Sequence, residues 1–377
     1  MQIYLDNAAT TPVAPEVIES MVSVLQEEFG NPSSSHAYGR KAKALLENAR
    51  RTIATTIHCS PSEIIFTSGG TEADNMALRC AVEQLEVKRI ITSPIEHHAV
   101  LHTVEYLQKQ FDIEVCYVRC DGNGNIDLAH LKELLASYSK TIVSLMHANN
   151  EIGTYLPIQE VSRLCRENNA LFHSDTVQSI GHVPLNIQEL DIDFITCSAH
   201  KMHGPKGVGF LYVNKRNKIQ AFIHGGAQER GLRSGTENTA SIVGMSKAIT
   251  LITENLNEKI AKVWSLKKSM LEQLQLHIPT ICFNGETSLE NSLYTILNCS
   301  FPSSKNDGML LFSLDLKGIA CSGGSACTSG ANTGSHVLRA LNLDKQRQSI
   351  RFSFSHYTTQ EEIDFLVKTL VELFNSK

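Results

Sequence analysis

The sequence predicts an α/β fold with a mostly parallel sheet covered by helices, followed by a smaller α+β domain. From about residue 64 to 235, short apolar runs alternate with amphipathic stretches of helical period, which is the pattern of strand–helix–strand units. The apolar runs are continuous, as in strands buried on both faces. Beyond Asn238 a long helical region leads into mixed strands and helices, which indicates the second domain.

The strands of the predicted sheet are apolar runs that end in polar residues. Three amphipathic segments between them, TEADNMALRCAVEQL, LHTVEYLQKQF and PIQEVSRLCRENN, have the apolar spacing of surface helices. The runs interpreted as strands are EIIFTSGG, KRIITSPIE, IEVCYVRCD, TIVSLMHANN, ALFHSD, DFITCSAHK and GVGFLYV.

The second domain is predicted from the elements that follow this sheet. The helical region TASIVGMSKAITLITENLNEKIAKVWSLKKSMLEQLQLH precedes a strand (NSLYTILNCSF), a helix (DGMLLFSLDLKG), a cysteine-containing loop, a helix (SHVLRAL) and a strand (SIRFSFSH). Thr358-Thr359-Gln360-Glu361 has the residues of a capped start for a final helix. We expect residues 15–255 to form a large domain, and residues 1–14 with 256–377 to form a small domain that carries the cysteine loop.

Charge and cysteine usage limit the class of protein. The 377-residue chain has a formal net charge of -5, which argues against direct nucleic-acid binding. The N-terminus has no signal-peptide pattern, and no stretch of about 18 apolar residues occurs, so we expect a cytoplasmic protein without membrane contact. Its ten cysteines are then reduced thiols, and no C-x-x-C pair indicates a zinc site.

A glycine-rich loop, Thr67-Ser68-Gly69-Gly70-Thr71-Glu72, lies between a predicted strand and a predicted helix. Glycines let the backbone approach an anion, and the helix N-terminus then offers free N–H groups and a positive dipole end. No Gly-Lys-Ser/Thr follows, so the loop is not a Walker A motif. It is either a phosphate site or an ordinary turn in which Thr71 caps the helix.

Four polar residues follow three of the predicted strands: Asn150, Asp175, His200 and Lys201. Ligands of open α/β sheets bind beyond the carboxyl ends of the strands. An ionised Asp175 is suited to pair with a pyridinium nitrogen, although Asp also commonly caps helices. Lys201 ends an apolar strand, where a lowered pKa would let it form an imine; the alternative is a solvated surface lysine.

His97 and Arg351 are further candidates. His97 follows a strand and is suited to stack on a flat cofactor and to move protons, or else it is a structural histidine at a helix start. Arg351 lies in a short strand, where its guanidinium would bind a substrate carboxylate or form a structural ion pair. His98 and His102 are four residues apart, but no third metal ligand accompanies them.

Cys327 is the strongest candidate for a covalent nucleophile. Its neighbours in Gly323-Gly324-Ser325-Ala326-Cys327-Thr328-Ser329-Gly330 are small or hydroxylic, so the thiol is expected to be accessible. Cys197, by contrast, has the apolar neighbours of a buried structural cysteine. Cys321 is either a resolving partner for Cys327 or a bystander. A lysine for a Schiff base and a nucleophilic thiol together indicate pyridoxal phosphate chemistry that transfers an atom to sulfur.

These segments, taken together, resemble the group I cysteine desulfurases of the NifS and IscS type, in the class V aminotransferase family of fold-type I pyridoxal phosphate enzymes. The similarity runs almost from end to end of the chain. The matching segments are YLDNAATTP at 4–12, FGNPSSSH at 29–36, SGGTEADN at 68–75, EHHAV at 96–100, MHANNEIG at 146–153, HSDTVQSIG at 173–181, SAHKMHGPKGVG at 198–209, QERGLRSGTEN at 228–238, GSACTSG at 324–330 and IRFSF at 350–354.

The resemblance implies a role for each matching position. Lys201 would bind the cofactor as an imine, Asp175 would lie on the pyridine nitrogen, and His97 would stack on the ring and act in catalysis. Cys327 would be the nucleophile, which implies no metal site beyond a transient iron–sulfur contact at that thiol. Gln178 would lie near the phenolic oxygen of the cofactor. The phosphate would be held by Gly70, Thr71, Ser198 and His200, and by Thr236 from the neighbouring subunit of a homodimer. Asn150 would contact the cofactor and, together with Arg351, bind the substrate carboxylate.

The activity implied is removal of sulfur from L-cysteine, which yields L-alanine and a persulfide on Cys327. That sulfur would pass to an acceptor protein for the synthesis of iron–sulfur clusters or other sulfur-containing products. Two alternatives remain open from the residues: a selenocysteine lyase or thiol-independent β-lyase, and a non-catalytic sulfur-relay scaffold. The segment Asn332-Thr333-Gly334 replaces the family's usual Leu-Glu-Pro, so the acceptor is not predicted.

Overall fold

The computed structural model describes residues 1–136, 140–302, 309–323, 334–344 and 346–375. Within these ranges the chain forms strands and helices that alternate through its first two thirds. The strands are β1 (Ile3–Tyr4), β2 (Ile64–Thr67), β3 (Arg89–Thr92), β4 (Glu114–Tyr117), β5 (Thr141–Ser144), β6 (Leu171–Asp175), β7 (Phe194–Ser198), β8 (Gly209–Val213), β9 (Cys282–Asn284), β10 (Ile296–Phe301), β11 (Ile319–Ala320) and β12 (Gln348–Ser353).

The helices cover the sheets and connect their strands. Three short 3-10 turns accompany them, at Pro61–Glu63, Ala199–Lys201 and Gln228–Gly231. The α-helices are α1 (Pro15–Glu27), α2 (Ala37–Thr56), α3 (Gly70–Glu83), α4 (His98–Phe111), α5 (Leu128–Leu135), α6 (Ile158–Glu167), α7 (Ile187–Leu190), α8 (Thr239–Thr253), α9 (Leu256–His277), α10 (Leu310–Leu316), α11 (His336–Ala340) and α12 (Gln360–Asn375).

The central sheet has seven strands in the order β2-β8-β7-β6-β5-β3-β4. The neighbours from β7 to β4 are parallel, whereas β8 runs antiparallel to both β7 and β2. All seven runs interpreted as strands from the sequence are strands of this sheet. The predicted mostly parallel α/β fold is therefore confirmed, and β8 is its one antiparallel member.

Apolar cores lie on both faces of this sheet. Ile64 and Phe66 of β2 join one core with α2 and α8, while Ile65 joins the opposite core with α3 and α4. This alternation follows from the strand period of two residues, and burial on both faces explains why the runs are continuously apolar. None of the helices in the described ranges has the length and apolar character needed to cross a membrane.

A third apolar core holds the C-terminal elements together with the N-terminus. Strands β12, β10 and β9 form an antiparallel sheet, and β1 pairs in parallel with β11. Ile3 and Leu5 pack in this core with residues of α9 and α12. The final helix begins with a capping box, because Glu362 N–H donates to Thr359 Oγ1 and the Glu362 carboxylate accepts from Thr359 N–H.

The long helical region predicted after Asn238 is two helices. It breaks between Thr253 and Leu256, where Asn255 adopts a left-handed backbone with φ of 50°. Asn tolerates that conformation better than most residues because its short side chain bonds locally. The apolar pattern continues through the break, so periodicity alone did not reveal it.

Candidate active site

A cavity of about 220 Å³ lies at the carboxyl ends of β5, β6 and β7, and we call it the central cavity. Ten of the twelve residues predicted for the site line it. These ten are Gly70, Thr71, His97, Asn150, Asp175, Gln178, Ser198, His200, Lys201 and Arg351. The cavity wall also includes Ala8, Ala9, Asp74, Met146 and Val177.

One end of the central cavity is the N-terminus of α3. The helix begins at Gly70 with Gly69 as its N-cap residue, so the interpretation of Thr71 as the cap is wrong. A Cβ at Gly70 would stand 2.8 Å from Val177 Cγ2, and only glycine allows this close approach. The first-turn amides of a helix have no intrahelical acceptor, so this end is suited to an anion.

Asp175 lies at the end of β6, and its Oδ1 accepts a hydrogen bond from Val177 N–H at 2.9 Å. Burial, followed by the charge of the nearby Asp74, raises the pKa of Asp175 to about 7, while the Val177 amide, His173 and Lys201 oppose the rise. A buried carboxylate in this position is suited to a cationic ring nitrogen.

The raised pKa of Asp175 leads to a stability prediction for the cofactor-free protein. The unfolded chain ionises near pH 4, but folded Asp175 ionises near 7, so its contribution to stability falls as pH rises between these values. We expect cofactor-free Asp175→Asn to melt at a higher temperature than wild type at pH 8 and at the same temperature near pH 4. Calorimetry at the two pH values measures the difference.

Asp193 provides the matched control for that measurement. It is equally buried, but Arg216 Nε donates to its Oδ1 at 2.8 Å and Phe172 N–H to its Oδ2 at 2.9 Å. Replacing a paired carboxylate leaves its donor groups without a hydrogen-bond acceptor, which lowers the stability of the fold. Asp193→Asn should therefore melt below wild type at pH 8. A stabilising effect of both substitutions, or of neither, would contradict the assignment of a raised pKa to Asp175.

Lys201 is held at the floor of the central cavity rather than on the solvated surface. It ends the 3-10 turn after β7, and its Nζ donates to the carbonyls of Ala8 at 2.6 Å and Ala9 at 2.7 Å. Gln178 Nε2 donates to the same Ala8 carbonyl at 3.0 Å. The N-terminal segment thus positions the lysine amine. The sequence did not predict this contact, because the segment lies far from Lys201 along the chain.

His97 is the N-cap residue of α4, and its Nδ1 accepts from Ala99 N–H at 3.1 Å. Burial, followed by the charge of Lys201, lowers the pKa of His97 to about 4. The ring is therefore neutral near pH 7 and carries its proton on Nε2. His97 therefore caps the helix, as one interpretation predicted, and its ring lines the central cavity. Stacking on a cofactor and proton transfer by His97 stay predictions.

His200 lies between the end of β7 and Lys201, in the same 3-10 turn. Its Nδ1 lies 3.1 Å from Thr10 Oγ1, and its backbone carbonyl accepts from Thr11 N–H at 2.9 Å. Burial and the charges of Lys201 and Lys206 lower the pKa of His200 to about 4. These contacts attach the N-terminal segment to the turn that carries Lys201.

Arg351 reaches the central cavity from β12. Its Nη1 donates to the Asn150 carbonyl at 2.8 Å, and its Nη2 donates to Asp6 Oδ1 at 2.8 Å. The side chain is 1% exposed, and no partner of its Nε–H occurs among the described residues. Arg351 thus combines the structural ion pair with a place in the cavity wall, where a carboxylate would find an unpaired donor.

Two acidic residues near the site were missed by the sequence reasoning. Asp6 accepts from Arg351 and also from Ser322 Oγ at 2.7 Å, and Asp74 lies in the wall beside Asp175. Asp6 belongs to YLDNAATTP and Asp74 to SGGTEADN, so their presence in those segments was the available signal.

Thr236 does not line the central cavity. It lies in a separate hollow with Gly207, Gly235 and Asn238. The loop that carries Thr236 is attached to the start of α3, because Arg233 Nε donates to Glu72 Oε1 at 2.7 Å. The contact of Thr236 with the phosphate of a neighbouring subunit stays a prediction.

Of the cysteines in the described ranges, Cys80, Cys165, Cys197 and Cys299 are buried, Cys282 is exposed, and the other four are partly buried. Cys327 lies outside the described residues, between the ranges that end at 323 and begin at 334. Burial raises the pKa of Cys321 to about 12 and that of Cys197 above its usual range. Cys321 is therefore protonated near pH 7, which favours its interpretation as a bystander.

The family model for aminotransferase class V matches residues 3–366, so this chain belongs to the class-V aminotransferase family. Among curated proteins, the chain is 44% identical to "Cysteine desulfurase IscS" of Dictyoglomus turgidum, over 98% of this chain and 93% of that protein.

Solved structures agree in fold over nearly the whole chain. A structure named "NifS-like protein" is 38% identical, covers 100% of both chains and has a TM-score of 0.92. A structure described as "SspA in complex with cysteine" is 33% identical, covers 95% of this chain and 100% of its own, and has a TM-score of 0.79. The sequence resemblance to the NifS and IscS type is confirmed by these relatives.

Proposed function

We propose that this chain is a pyridoxal phosphate-dependent cysteine desulfurase that removes sulfur from L-cysteine and releases L-alanine. The observation that carries the proposal is the central cavity itself. It brings an anion-binding helix N-terminus, a buried carboxylate, a flat neutral histidine and a lysine amine together in one space. The reaction and the substrate are proposed from relatives named cysteine desulfurase, which match this chain over nearly their full length.

The charges and hydrogen-bonding groups of the cavity residues suit pyridoxal phosphate. Gly70, Thr71, Ser198 and His200 would hold the phosphate at the α3 N-terminus. The other contacts would be Asp175 at the pyridine nitrogen, His97 on the ring face, Gln178 and Asn150 at the ring substituents, and Thr236 of a second copy at the phosphate. The bound cofactor supplies an electron sink conjugated to the substrate nitrogen.

The chemistry left to the protein is binding, proton transfer and sulfur capture. The amine of Lys201, steadied by the Ala8 and Ala9 carbonyls, is suited to take the proton from the substrate Cα and return it to carbon. The Cys327 thiolate attacks the substrate sulfur, and the electrons of the carbon–sulfur bond leave with carbon. Cys327 then carries a persulfide, and the carbon skeleton is protonated and leaves as alanine.

Three further features complete the proposal. We assign residues 15–255 to a cofactor-binding domain, and residues 1–14 with 256–377 to a small domain that carries Cys327. A homodimer would bring Thr236 to the second site. A sulfur-acceptor protein would take the persulfide sulfur for iron–sulfur clusters or other products, in the cytoplasm.

The substrate carboxylate is assigned to Arg351 and Asn150, which leads to a mutational prediction. Lysine lacks the planar guanidinium group that can donate two parallel hydrogen bonds to a carboxylate. Arg351→Lys should therefore raise KM for L-cysteine by about 10- to 100-fold, which corresponds to the loss of one or two charged hydrogen bonds. Steady-state alanine production measures KM. Arg347→Lys is the control, because Arg347 binds the Ser300 and Thr280 carbonyls away from the cavity. Equal effects of the two substitutions would contradict the assignment.

The proposed function is tested directly on the purified protein. L-cysteine is added without reductant, and alanine production, intact mass and a peptide map are recorded. Alanine together with one added sulfur on Cys327 supports a desulfurase. Alanine with no modified cysteine would point to a thiol-independent lyase, and no product from cysteine would overturn the proposal.

A further inference from the structure

A second carboxyl group, that of Asp74, lies on the wall of the central cavity beside Asp175. Asp74 is on α3, one turn after Gly70, and is 1% exposed. A carboxyl oxygen of Asp74, a carboxyl oxygen of Asp175 and a ring nitrogen of His97 lie within 4.8 Å of one another. The proposed function uses Asp175 and His97 but gives Asp74 no role.

The surroundings of Asp74 contain one hydroxyl donor and one imidazole. Thr196 on β7 provides a side-chain hydrogen bond to Asp74. Asp74 Oδ1 has no hydrogen-bond partner among the described residues, but it lies 3.4 Å from Nε2 of the fully buried His173. In the part of the chain that the structure describes, no Lys or Arg forms an ion pair with Asp74.

Two buried carboxyl groups this close cannot both be ionised without a large electrostatic cost. Burial raises the pKa of Asp74 to about 7, and burial followed by the charge of Asp74 raises that of Asp175 to about 7. Since the groups interact, these values describe the pair. Burial lowers the pKa of His173 to about 4, so an imidazolium does not offset a second negative charge near pH 7.

The charged groups around the pair favour ionisation of Asp175 over Asp74. Lys201, His173 and the Val177 amide all stabilise the ionised form of Asp175, whereas Thr196 alone does so for Asp74. The segment before α4 contributes the neutral His97 and Glu96. Burial raises the pKa of Glu96 to about 8, so Glu96 is neutral near pH 7 and adds no negative charge beside the pair.

We propose that Asp74 is a positioning residue that retains the proton of the Asp74–Asp175 pair, so that Asp175 alone is ionised. This inference rests on the proposed function, because it requires Asp175 to face the pyridine nitrogen of the cofactor. The cation on that nitrogen pairs with one carboxylate only. The second carboxyl group then keeps its proton and adds no charge to the site.

A protonated Asp74 is compatible with the hydrogen bonding of its neighbours. Its Oδ1–H would donate to Nε2 of His173, and the Nδ1–H of His173 would donate to Ser144 Oγ, which lies at 2.9 Å. Thr196 provides a side-chain hydrogen bond to Asp74, and Thr196 Oγ1 also lies 3.2 Å from Nε2 of His173, so these three side chains form one hydrogen-bonded group.

Infrared spectroscopy of the holoenzyme tests the proton directly. We expect the wild-type protein at pH 7 to show the C=O stretch of a protonated carboxylic acid that is absent from Asp74→Asn. Glu96→Gln is the control, since Glu96 is a further buried acid whose pKa is raised, to about 8, and its replacement should leave the Asp74 band in place.

Cofactor affinity supplies a second readout. Asparagine imitates a protonated aspartic acid, so the Kd of Asp74→Asn for pyridoxal phosphate should lie within about threefold of the wild-type Kd. A roughly threefold change in Kd is smaller than the effect of losing one neutral hydrogen bond. Asp74→Ala removes the acceptor of Thr196 and should bind about tenfold more weakly. If the alanine variant does not fold, the infrared comparison of wild type with Asp74→Asn still decides the question.

The contrary outcomes separate the two proposals. A holoenzyme whose carboxylic-acid bands are unchanged by Asp74→Asn has an ionised Asp74, and so does one in which Asn weakens cofactor binding as much as Ala. Either result overturns the role of Asp74 and leaves the proposed function standing. A wild-type protein that takes up no pyridoxal phosphate overturns both.

Discussion

Lys201→Ala should lower the rate of alanine production from L-cysteine by at least about 10³-fold. A loss of this size is expected when a group that acts both in acid–base catalysis and as a nucleophile is removed. Lys201 Nζ is held by two carbonyls at 2.6 and 2.7 Å, and no other lysine lines the central cavity in the described residues. The variant should also lose the visible absorbance of a lysine-bound cofactor. Steady-state kinetics and absorption spectra of the purified variant measure both losses.

Lys206→Ala is the matched control for this substitution. Lys206 lies five residues later in the same glycine-rich segment, but its side chain is exposed and outside the cavity. It should retain wild-type absorbance and turnover within about threefold, as is usual for surface substitutions. Turnover by Lys201→Ala at a rate close to that of the control would show that another amine performs the reaction.

Cys327→Ala should bind pyridoxal phosphate as wild type does but form no persulfide from L-cysteine. The expected loss in sulfur transfer is at least about 10²-fold, because the thiolate is the only group proposed to accept the sulfur. Cofactor binding should persist, since the proposed cofactor contacts come from other segments of the chain. Absorption spectra and peptide mapping after cysteine addition measure the two properties separately.

Cys282→Ala controls for nonspecific thiol chemistry. Cys282 is an exposed free cysteine on β9, so it is as available to small reagents as any thiol in the described ranges. Its removal should leave the modified peptide unchanged. Normal alanine and sulfide release by Cys327→Ala would instead assign the reaction to a lyase that needs no thiol.

The relation between sequence and structure differs from one element to another. The runs TIVSLMHANN and ALFHSD became neighbouring strands β5 and β6, and their polar ends meet at the central cavity as predicted. This succeeded because strand burial and the strand-end position of ligands are local rules. The break at Asn255 and the antiparallel direction of β8 were not predicted, because neither changes the apolar pattern of the chain.

The acidic residues show the limit of sequence reasoning most clearly. Asp6 is 345 residues from Arg351 in sequence, and Asp74 is 101 residues from Asp175, yet each pair meets at the cavity. An aspartate in a loop or on a helix has no local signature that distinguishes a solvated carboxylate from a buried one. Burial and the neighbouring charges, which set the protonation state, exist only after folding.

The sequence by itself determined the α/β class, the resemblance to its family and ten of the residues that line the cavity, because residue type and order along the chain carry that information. Only the tertiary structure decided which partner each of these residues has. The Ala8 and Ala9 carbonyls hold Lys201, Asp6 pairs with Arg351, and Asp74 faces Asp175. Those contacts join segments far apart in the chain, and their energies depend on the low dielectric of a packed interior.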